Sequence, residues 1–320
     1  MRRLFLILIS VMFSSFFAEQ ADAQRTQTRS GAADLGLGEY TGIRHAIGVV
    51  DFDNQAGWRG RWNLGNNLSI MLESALSDTD RFVLVDRAQL GNVIREQDLA
   101  ASGRAAPARG VAQTGQIRPA KYIASGSITE VEESASGRDG GIGIGGVRVG
   151  GGRQQAQVTA IIRITDSSTG EIVAQERVVG RAGRTALRVG LRHGGMSGEL
   201  GGFEKTPLGE AAQDVINQAA VFIARQMEEF PFEGNVIRVA NNGQVLINRG
   251  AEFGVQQGQE MVLRTEGEQI IDPMTGAVLG VEEGRMLGRL RVVRVEEKFA
   301  YCDVLEGEDN PEVGSVVYLK

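Results

Sequence analysis

The stretch from Ser136 to Arg153, SGRDGGIGIGGVRVGGGR, sets nine glycines around four branched apolar residues. Glycine loses more conformational freedom on ordering than any other residue, so an ordered run of this kind needs a compensating interaction. Three structures are compatible with it: a loop whose backbone binds phosphate, a flexible surface loop, or thin strands that become ordered only beside neighbouring subunits. The surrounding sequence has to distinguish them.

The phosphate-binding alternative depends on the type of element that comes after GGIGIGG. In a dinucleotide-binding fingerprint, the glycine turn joins a strand to a helix whose N-terminus meets the pyrophosphate. Here the apolar alternation from Val158 to Ile164 predicts a strand, and the next helix is expected only near Pro207. This context therefore excludes a nucleotide-binding loop, and we expect no cofactor.

The apolar positions of the run favour strands. They change parity across the Gly145-Gly146 pair, from even before it to odd after it, as a turn between two strands would produce. The residues concerned are Ile142, Ile144, Val147 and Val149. A hairpin is therefore predicted over about residues 134–153.

A second segment at about 184–205, TALRVGLRHGGMSGELGGFEKT, shows a similar alternation on both sides of His193-Gly194-Gly195. Its apolar positions are Leu187, Val189, Leu191, Met196 and Leu200. The arms of both segments have about the length of a transmembrane β-strand, which needs about 9–11 residues with alternating faces. Two hairpins cannot close a large barrel alone, but several subunits in a ring can. Two disordered surface loops are the alternative, because the apolar faces are sparse.

The N-terminus has the three parts of a secretory signal peptide. Arg2 and Arg3 precede the apolar stretch Leu4–Phe17, and small residues at Ala21–Ala23 form a cleavage site. A membrane anchor is the alternative, but the apolar stretch is shorter than the roughly 20 residues of a spanning helix. We expect residues 1–23 to be removed and residues 24–41 to form a flexible leader. No cysteine lies near the cleavage site, so we expect no lipid at the mature N-terminus.

Composition weighs against nucleic acid binding and catalysis. The net charge is −6, which offers no electrostatic attraction for nucleic acid. With His45, His193 and Cys302 as the only histidines and cysteine, a zinc site of usual composition cannot form. His193 sits in a glycine-rich turn with no evident group to orient it as a base. We therefore predict a protein without enzymatic activity, metal or catalytic residues.

Hydrophobic periodicity predicts two domains, separated near Pro231. Residues 42–230 alternate strands and helices, typical of an α/β fold, whereas residues 232–320 show only short strands, typical of a small all-β barrel of the SH3-like type. One sheet is expected to contain strands Ile47–Asp51, Phe82–Val85, Tyr122–Val131, Val158–Thr165 and Ile172–Val179. The helices expected to pack on it are Leu64–Ser77, Ala88–Leu99 and Leu208–Met227, with Val215 and Phe222 in the core.

Three stretches together resemble the curli-secretion channel family (CsgG). They are RFVLVDRAQLGNVIREQDLAASG, the chain from GQIRPAKYIASGSITEVEE through the glycine run to VTAIIRITDSSTGEIVAQERVVGRA, and GFEKTPLGEAAQDVINQAAVFI. The resemblance extends over roughly residues 42–227. In addition, GNVIRVANNGQVLINRGAEFGVQQGQ is similar to the C-terminal domain of flagellar assembly protein T.

The resemblance implies a periplasmic α/β domain, in two or three layers, related to the N-terminal domain of TolB. In the family, each subunit of a ring gives two β-hairpins to a shared outer-membrane barrel, and these hairpins match the two glycine-rich segments. A loop that narrows the family's pore matches Phe52–Asn63, where the nearest equivalents of the constriction residues are Asn54, Trp58 and Trp62. Either the two tryptophans form a pore collar or they cover the adjacent helix.

Two functions remain open. The first is a ring-forming subunit of an outer-membrane secretion or assembly channel of the curli-transport type, with copies of itself and an exported protein as partners. The second is a soluble periplasmic scaffold, closer to flagellar ring proteins, which binds partners through its hairpins and its C-terminal β domain. Both place the protein in the periplasm or at the outer membrane.

Overall fold

A computed structural model describes residues 35–105, 112–134, 155–182, 199–276, 278–307 and 311–319. The predicted signal peptide and most of the leader lie outside these ranges. Two hydrophobic cores organise the described chain, one in an α/β unit and one in a β-barrel. The predicted succession of an α/β fold and an all-β barrel is confirmed.

The first unit contains β1 (His45–Val49), β2 (Asp53–Asn54), α1 (Leu64–Asp78), β3 (Phe82–Asp86), α2 (Leu90–Ala101), β4 (Tyr122–Ser134), β5 (Gln155–Asp166), β6 (Ile172–Arg181), α3 (Glu199–Phe203) and α4 (Pro207–Glu228). The sheet order is β3-β1-β4-β5-β6, and β2 pairs with β4. Strand β1 runs parallel to β3 and β4, whereas β4, β5 and β6 are antiparallel neighbours. The five predicted strands therefore share one sheet, as expected.

Helices α1 and α4 cover one face of this sheet. The alternating residues of β5 face them and are fully buried from Val158 to Ile164. The other face carries polar cross-strand contacts, such as the hydrogen bond that Arg163 Nη1 donates to Ser127 Oγ over 3.0 Å. Among the described residues the α/β unit therefore has two layers, helices on one side and a sheet with a polar outer face on the other.

Local capping explains where these helices begin. The Asn63 side chain accepts a hydrogen bond from the Asn66 N–H before α1. Before α4, Thr206 Oγ1 accepts the Gly209 N–H over 3.0 Å. Pro207 then occupies the first turn, where its missing N–H costs nothing. The helices predicted to start at Leu64 and near Pro207 are confirmed.

One packing prediction is wrong, and a second is confirmed only in part, because Phe222 packs against the core but is only partly buried. The sequence places helix α2 on the sheet, but Gln97 is its one buried residue and Val93 and Ile94 are about 40% exposed. Its apolar stripe is narrow, and α1 and α4 already cover the buried face of the sheet. The sequence also places Phe222 in the core with Val215, yet only Val215 is fully buried. Phe222 lies at the edge of the buried arc of α4 and lines a surface groove with Leu35 and Val221.

The second unit contains β7 (Glu233–Val239), β8 (Val245–Ile247), β9 (Glu260–Arg264), β10 (Gln269–Ile271), β11 (Val278–Val281), β12 (Met286–Val295), β13 (Ala300–Gly307) and β14 (Val316–Leu319). Six strands close a barrel in the order β12-β13-β8-β7-β14-β9, and β10 and β11 form a separate two-stranded ribbon. The barrel core includes Val236, Leu263, Leu290 and Cys302, all fully buried.

The turns DSSTG, residues 166–170, and DPMTG, residues 272–276, have the same hydrogen bonding. Asp166 Oδ1 accepts the Ser168 N–H, and Asp272 Oδ1 accepts the Met274 N–H, each over 2.7 Å. Both turns end at a glycine in the left-handed region, Gly170 and Gly276, with φ of +76° and +72°. Because a side chain is strained at such φ, glycine ends each turn.

Candidate functional site

The candidate site is the end of the sheet where β4 stops and β5 starts. The loop Phe52–Asn63, here called the tryptophan loop, joins β1 to α1 and is attached near the middle of β4. Its strand β2 pairs with Ser127 and Ile128 of β4, and the Ala56 N–H donates to the Ile128 carbonyl over 2.8 Å. The loop that the family resemblance links to a pore constriction is therefore fixed to the long strand β4.

Asn54 holds the tryptophan loop in a tight turn. Its side-chain Oδ1 accepts the Trp58 N–H over 3.1 Å, and its Nδ2 donates to the Trp58 carbonyl over 2.8 Å. Both groups of the amide are thus engaged by one backbone position. Asn54 is exposed, yet its polar atoms hold the turn together.

The two tryptophans pack inward from this turn. Both rings are partly buried against the α/β core. The Trp62 ring lies 5.5 Å from the Phe203 ring, measured between centroids, and the Arg61 guanidinium lies 4.6 Å from the Trp62 centroid. The Trp58 Nε1–H is buried and has no hydrogen-bond partner in the described chain. Of the two expected roles, this packing fits the covering of the helices, while part of each ring stays accessible.

Both ends of the first glycine-rich segment and the start of the second meet the sheet at one end of three neighbouring strands. Ser134 at the end of β4 pairs with Gln155 at the start of β5. Arg181 near the end of β6 pairs with Gln157 of β5, and the Ala182 N–H donates to the Ala156 carbonyl over 2.9 Å. Three neighbouring strands, β4, β5 and β6, therefore connect to the glycine-rich segments at the same end of the sheet. Strands β4 and β5 flank the first segment, and β6 leads into the second.

Most of the predicted hairpin residues lie outside the described part of the chain. These are Ile142, Ile144, Val147, Val149, Leu187, Val189, Leu191 and Met196. The exception is Leu200, for which the prediction of a strand position is wrong. Leu200 lies in the short helix α3 and packs partly buried against the α/β core, next to the fully buried Phe203. The apolar spacing of Leu200 with Phe203 suits a helical turn that anchors the chain before α4.

The acidic side chains Asp51 and Glu73 lie near the tryptophan loop and interact with neighbouring side chains of the α/β unit. Ser69 Oγ donates to Asp51 Oδ1 over 2.8 Å. Burial raises the pKa of Glu73 above its usual value, and the negative charges of Asp86 and Asp51 raise it further. Within the described ranges, no three His, Cys, Asp or Glu side chains come together as metal ligands.

The histidine and cysteine singled out in the sequence lie elsewhere. Burial, followed by the charge of Lys121, lowers the pKa of His45 at the start of β1. Burial raises the pKa of Cys302 to about 12, so this thiol stays protonated inside the barrel. His193 lies outside the described residues.

Within the part of the chain that the structure describes, no helix combines the length and the apolar character needed to cross a bilayer.

Sequence reasoning missed two features of these surfaces. The double hydrogen bond of Asn54 had no signal beyond an Asn four residues before Trp58. A cationic cavity between the two units was also missed, because its side chains come from segments scattered between Arg44 and Lys298. Only the three-dimensional fold brings them together.

One family of known proteins matches most of this chain. The family described as "Curli production assembly/transport component CsgG" matches residues 29–245, more than half of the chain. No curated protein matches the chain. Among solved structures, the hypothetical protein CT253 from Chlamydia trachomatis is similar with a TM-score of 0.34 and 14% identity, over 57% of this chain and 96% of that one.

Two further solved structures are similar at the same level. The PelC dodecamer from Paraburkholderia phytofirmans has a TM-score of 0.28 and 12% identity, over 56% of this chain and 86% of that one. Lipoprotein GNA1162 from Neisseria meningitidis has a TM-score of 0.25 and 13% identity, over 58% of this chain and 99% of that one.

Proposed function

Because this chain belongs to the family of the curli production assembly/transport component CsgG, we propose that it is a ring-forming subunit of an outer-membrane secretion or assembly channel of the curli-transport type. The family's description is that of a transport component, which agrees with the expectation of a protein without enzymatic activity. Its partners are copies of itself and an exported protein substrate.

One observation carries this proposal: the two glycine-rich segments meet neighbouring strands at one end of one sheet. The register Ser134 to Gln155 and the continuation of β6 to Ala182 place both ends of residues 135–154 and the start of residues 183–198 on neighbouring strands. Segments that leave from adjacent strands are positioned to extend the same sheet into hairpins. Closure of such hairpins with those of neighbouring subunits removes their open edges, which would otherwise leave backbone groups unpaired in lipid.

The tryptophan loop suits a constriction of the proposed ring. It is attached to β4 at Ser127 and Ile128, and Trp62 packs on Phe203 shortly after the second segment, so a loop from each subunit would narrow the inner rim. The Asn54 hydrogen bonds give the loop a defined shape without a contribution from a neighbour. We propose that the accessible edges of the two tryptophans face the pore while their buried edges pack on the core.

We further propose an exported protein with a cleaved signal peptide, a mature N-terminus at Gln24 and no lipid. In this proposal the α/β unit, residues 42–230, is related to the N-terminal domain of TolB. The barrel, residues 232–320, is an SH3-like interaction module similar to the C-terminal domain of flagellar assembly protein T. Intact-mass measurement of the exported protein tests the first part, since an uncleaved or acylated chain would contradict it.

Charge substitutions in the glycine-rich segments test the channel. Val149→Asp and Val189→Asp each put a charge on a proposed lipid-facing arm. Near the bilayer midplane, charges on the lipid face cost up to about 2–4 kcal/mol, Asp less than Lys or Arg, and a ring repeats the cost in every subunit. Gly190→Asp is the matched control, because the next residue of a strand faces the polar lumen. Membrane fractionation and electron microscopy of detergent extracts measure the outcome.

The expected result is loss of membrane-embedded rings in both valine variants, with an unchanged circular dichroism spectrum, and retained rings in the Gly190 control. Embedded rings in all three variants would show that these arms do not face lipid.

The soluble periplasmic scaffold is a second candidate, favoured by one observation on the barrel. The ribbon of β10 and β11 and its turn expose large apolar side chains, with Leu279 68% and Met274 91% exposed. Such a surface fits contact with a protein partner. Recovery of wild-type protein only from the soluble periplasmic fraction would favour this function over the channel.

A further inference from the structure

A cavity of about 720 Å³ lies between the α/β unit and the barrel. The β1 and β4 strands contribute its first wall at His45 and Tyr122, and the barrel contributes the opposite wall around Arg249 and Phe253. The turn residues Ser167 and Ser168 complete one side. Binding sites for small molecules typically measure about 300–1,000 Å³, so a small organic ligand fits this space.

The walls of this cavity are positively charged. They carry five Lys and Arg side chains against two carboxylates, in a chain whose net charge is −6. The positive residues are Arg44, Arg118, Lys121, Arg249 and Lys298, and the negative residues are Glu233 and Glu252. A cationic surface concentrated in one concave site of an acidic protein attracts anions there.

Several of these charges are already paired. Arg118 donates two hydrogen bonds to the Glu252 carboxylate, over 3.0 and 2.8 Å. Lys121 Nζ lies 2.8 Å from a Glu233 oxygen. Each of the two wall carboxylates therefore already has a cationic partner, and Arg44 is paired with Asp80, which does not line the cavity, over 2.6 Å.

Arg249 and Lys298 are the cavity cations that no ion pair joins to a carboxylate of the described residues, and Arg249 is the better placed for a ligand. It is partly buried, its guanidinium lies 4.6 Å from the Phe253 ring centroid, and Nη1 donates to the Asn248 carbonyl over 3.0 Å. No ion pair joins it to a carboxylate of the described chain, and Arg118 lies over the same Phe253 ring at 5.5 Å. Two guanidinium groups thus approach one aromatic side chain, and only one of them is neutralised.

We propose that this cavity binds a small ligand through an oxyanion, a carboxylate or a phosphate, that Arg249 and the neighbouring cations of the two units hold together. A planar guanidinium donates paired hydrogen bonds to such oxygens and matches their geometry. The aromatic wall at Phe253 and Tyr122 accommodates the apolar part of the ligand. Because the cations come from both units, the bound anion bridges them.

The electrostatics of the cavity agree with this assignment. Burial lowers the pKa of Arg249 and the charge of Arg118 lowers it further, while the smaller effects of Glu233 and Glu252 oppose this shift. Lys121 and Arg249 also contribute to the lowered pKa of His45 after burial. A bound oxyanion would offset both the lost hydration and the repulsion between like charges.

Binding is tested on the full mature chain with pyrophosphate and citrate as probes, at constant ionic strength set with chloride. Isothermal titration gives the Kd, and thermal unfolding gives the accompanying rise in Tm. We expect saturable binding of at least one probe. Binding of pyrophosphate alone assigns a phosphate ligand, and binding of citrate alone assigns a carboxylate ligand.

Arg249→Gln removes the central charge and is expected to weaken binding at least tenfold. Arg238→Gln is the matched control, because Arg238 is an exposed arginine of the same barrel outside the cavity, and its Kd should equal that of the wild type. If Arg249→Gln does not fold, Arg249→Lys replaces it, with an expected weakening of several-fold from the lost paired geometry.

The proposal is overturned if neither probe saturates, or if the folded Arg249 variant binds with the wild-type Kd. A rise in Tm that is linear in concentration and equal in all variants would be the general effect of these salts on protein surfaces and would also overturn it.

Discussion

The variant Trp62→Ala distinguishes two roles of this side chain, covering the core of the α/β unit and lining a pore. A fully buried tryptophan costs about 3–5 kcal/mol when truncated, and an aromatic pair contributes about 0.5–1.5 kcal/mol beyond its buried area. Trp62 is only partly buried, but its ring lies 5.5 Å from Phe203, which is fully buried. We therefore expect a loss of about 2–3 kcal/mol of unfolding free energy in the α/β unit, measured by urea denaturation and far-ultraviolet circular dichroism.

Two controls make the Trp62 experiment specific. Arg59→Ala changes an exposed residue of the same loop and should leave stability within about 0.5 kcal/mol. A double-mutant cycle with Phe203→Leu should give a coupling energy of about 0.5–1.5 kcal/mol. Unchanged stability in Trp62→Ala, together with increased dye leakage through reconstituted protein, would refute the packing argument and make the ring a pore collar only.

Three further predictions concern the core and its titrating groups. Val215→Ala should cost about 2 kcal/mol and Phe222→Ala about 1 kcal/mol in urea denaturation, because only Val215 is fully buried; the opposite order would contradict the assigned face of α4. The pKa of Glu73 is raised in the folded state, so ionisation of this side chain lowers the free energy of unfolding. The loss is absent below the unfolded pKa of 4.5 and complete above the folded pKa. Glu73→Gln should therefore raise Tm at pH 7.5, with a gain that vanishes as the pH falls below 4.5, and a gain independent of pH would refute this origin. Cys302, with a pKa of about 12, should react with a thiol reagent at about pH 8 only after unfolding; stoichiometric labelling of folded protein would show that the barrel core is accessible.

Local rules predicted the elements whose causes are local. The Thr206-Pro207 pair begins α4 because both residues satisfy a helix N-terminus by themselves. The DSSTG and DPMTG turns form because the aspartate and the glycine supply the hydrogen bond and the positive φ within five residues. Strand alternation predicted the shared sheet for the same reason, since one buried face is visible in the sequence.

Features that depend on packing against elements distant in the sequence could not be predicted in this way. The amphipathic pattern of α2 shows that it has an apolar side, but not that α1 and α4 occupy the face of the sheet and leave Val93 and Ile94 exposed. Phe222 fits the helical stripe of α4 when residues are counted in threes and fours, yet it falls at the edge of the buried arc. Leu200 fits a two-residue period and a helical turn equally well, and contact with the core selects the helix.

The candidate site shows the same limit. The position of the tryptophan loop could be predicted from the order of elements, because a β1–α1 connection lies at the carboxyl end of a parallel strand. The two hydrogen bonds between the Asn54 side chain and the Trp58 backbone could not be predicted, because such bonds of exposed residues leave no distinct pattern in a sequence.

Strand β4 places the two proposed sites at opposite ends of the α/β unit. Its first residue, Tyr122, lines the cationic cavity, and its last residue, Ser134, adjoins the first glycine-rich segment. With a rise of about 3.3 Å per residue, these ends lie roughly 40 Å apart. If the hairpins enter the outer membrane as proposed, the barrel and its ligand cavity therefore project away from the bilayer into the periplasm. The anion would then bind where periplasmic solutes and partners have access, away from the path of the exported substrate.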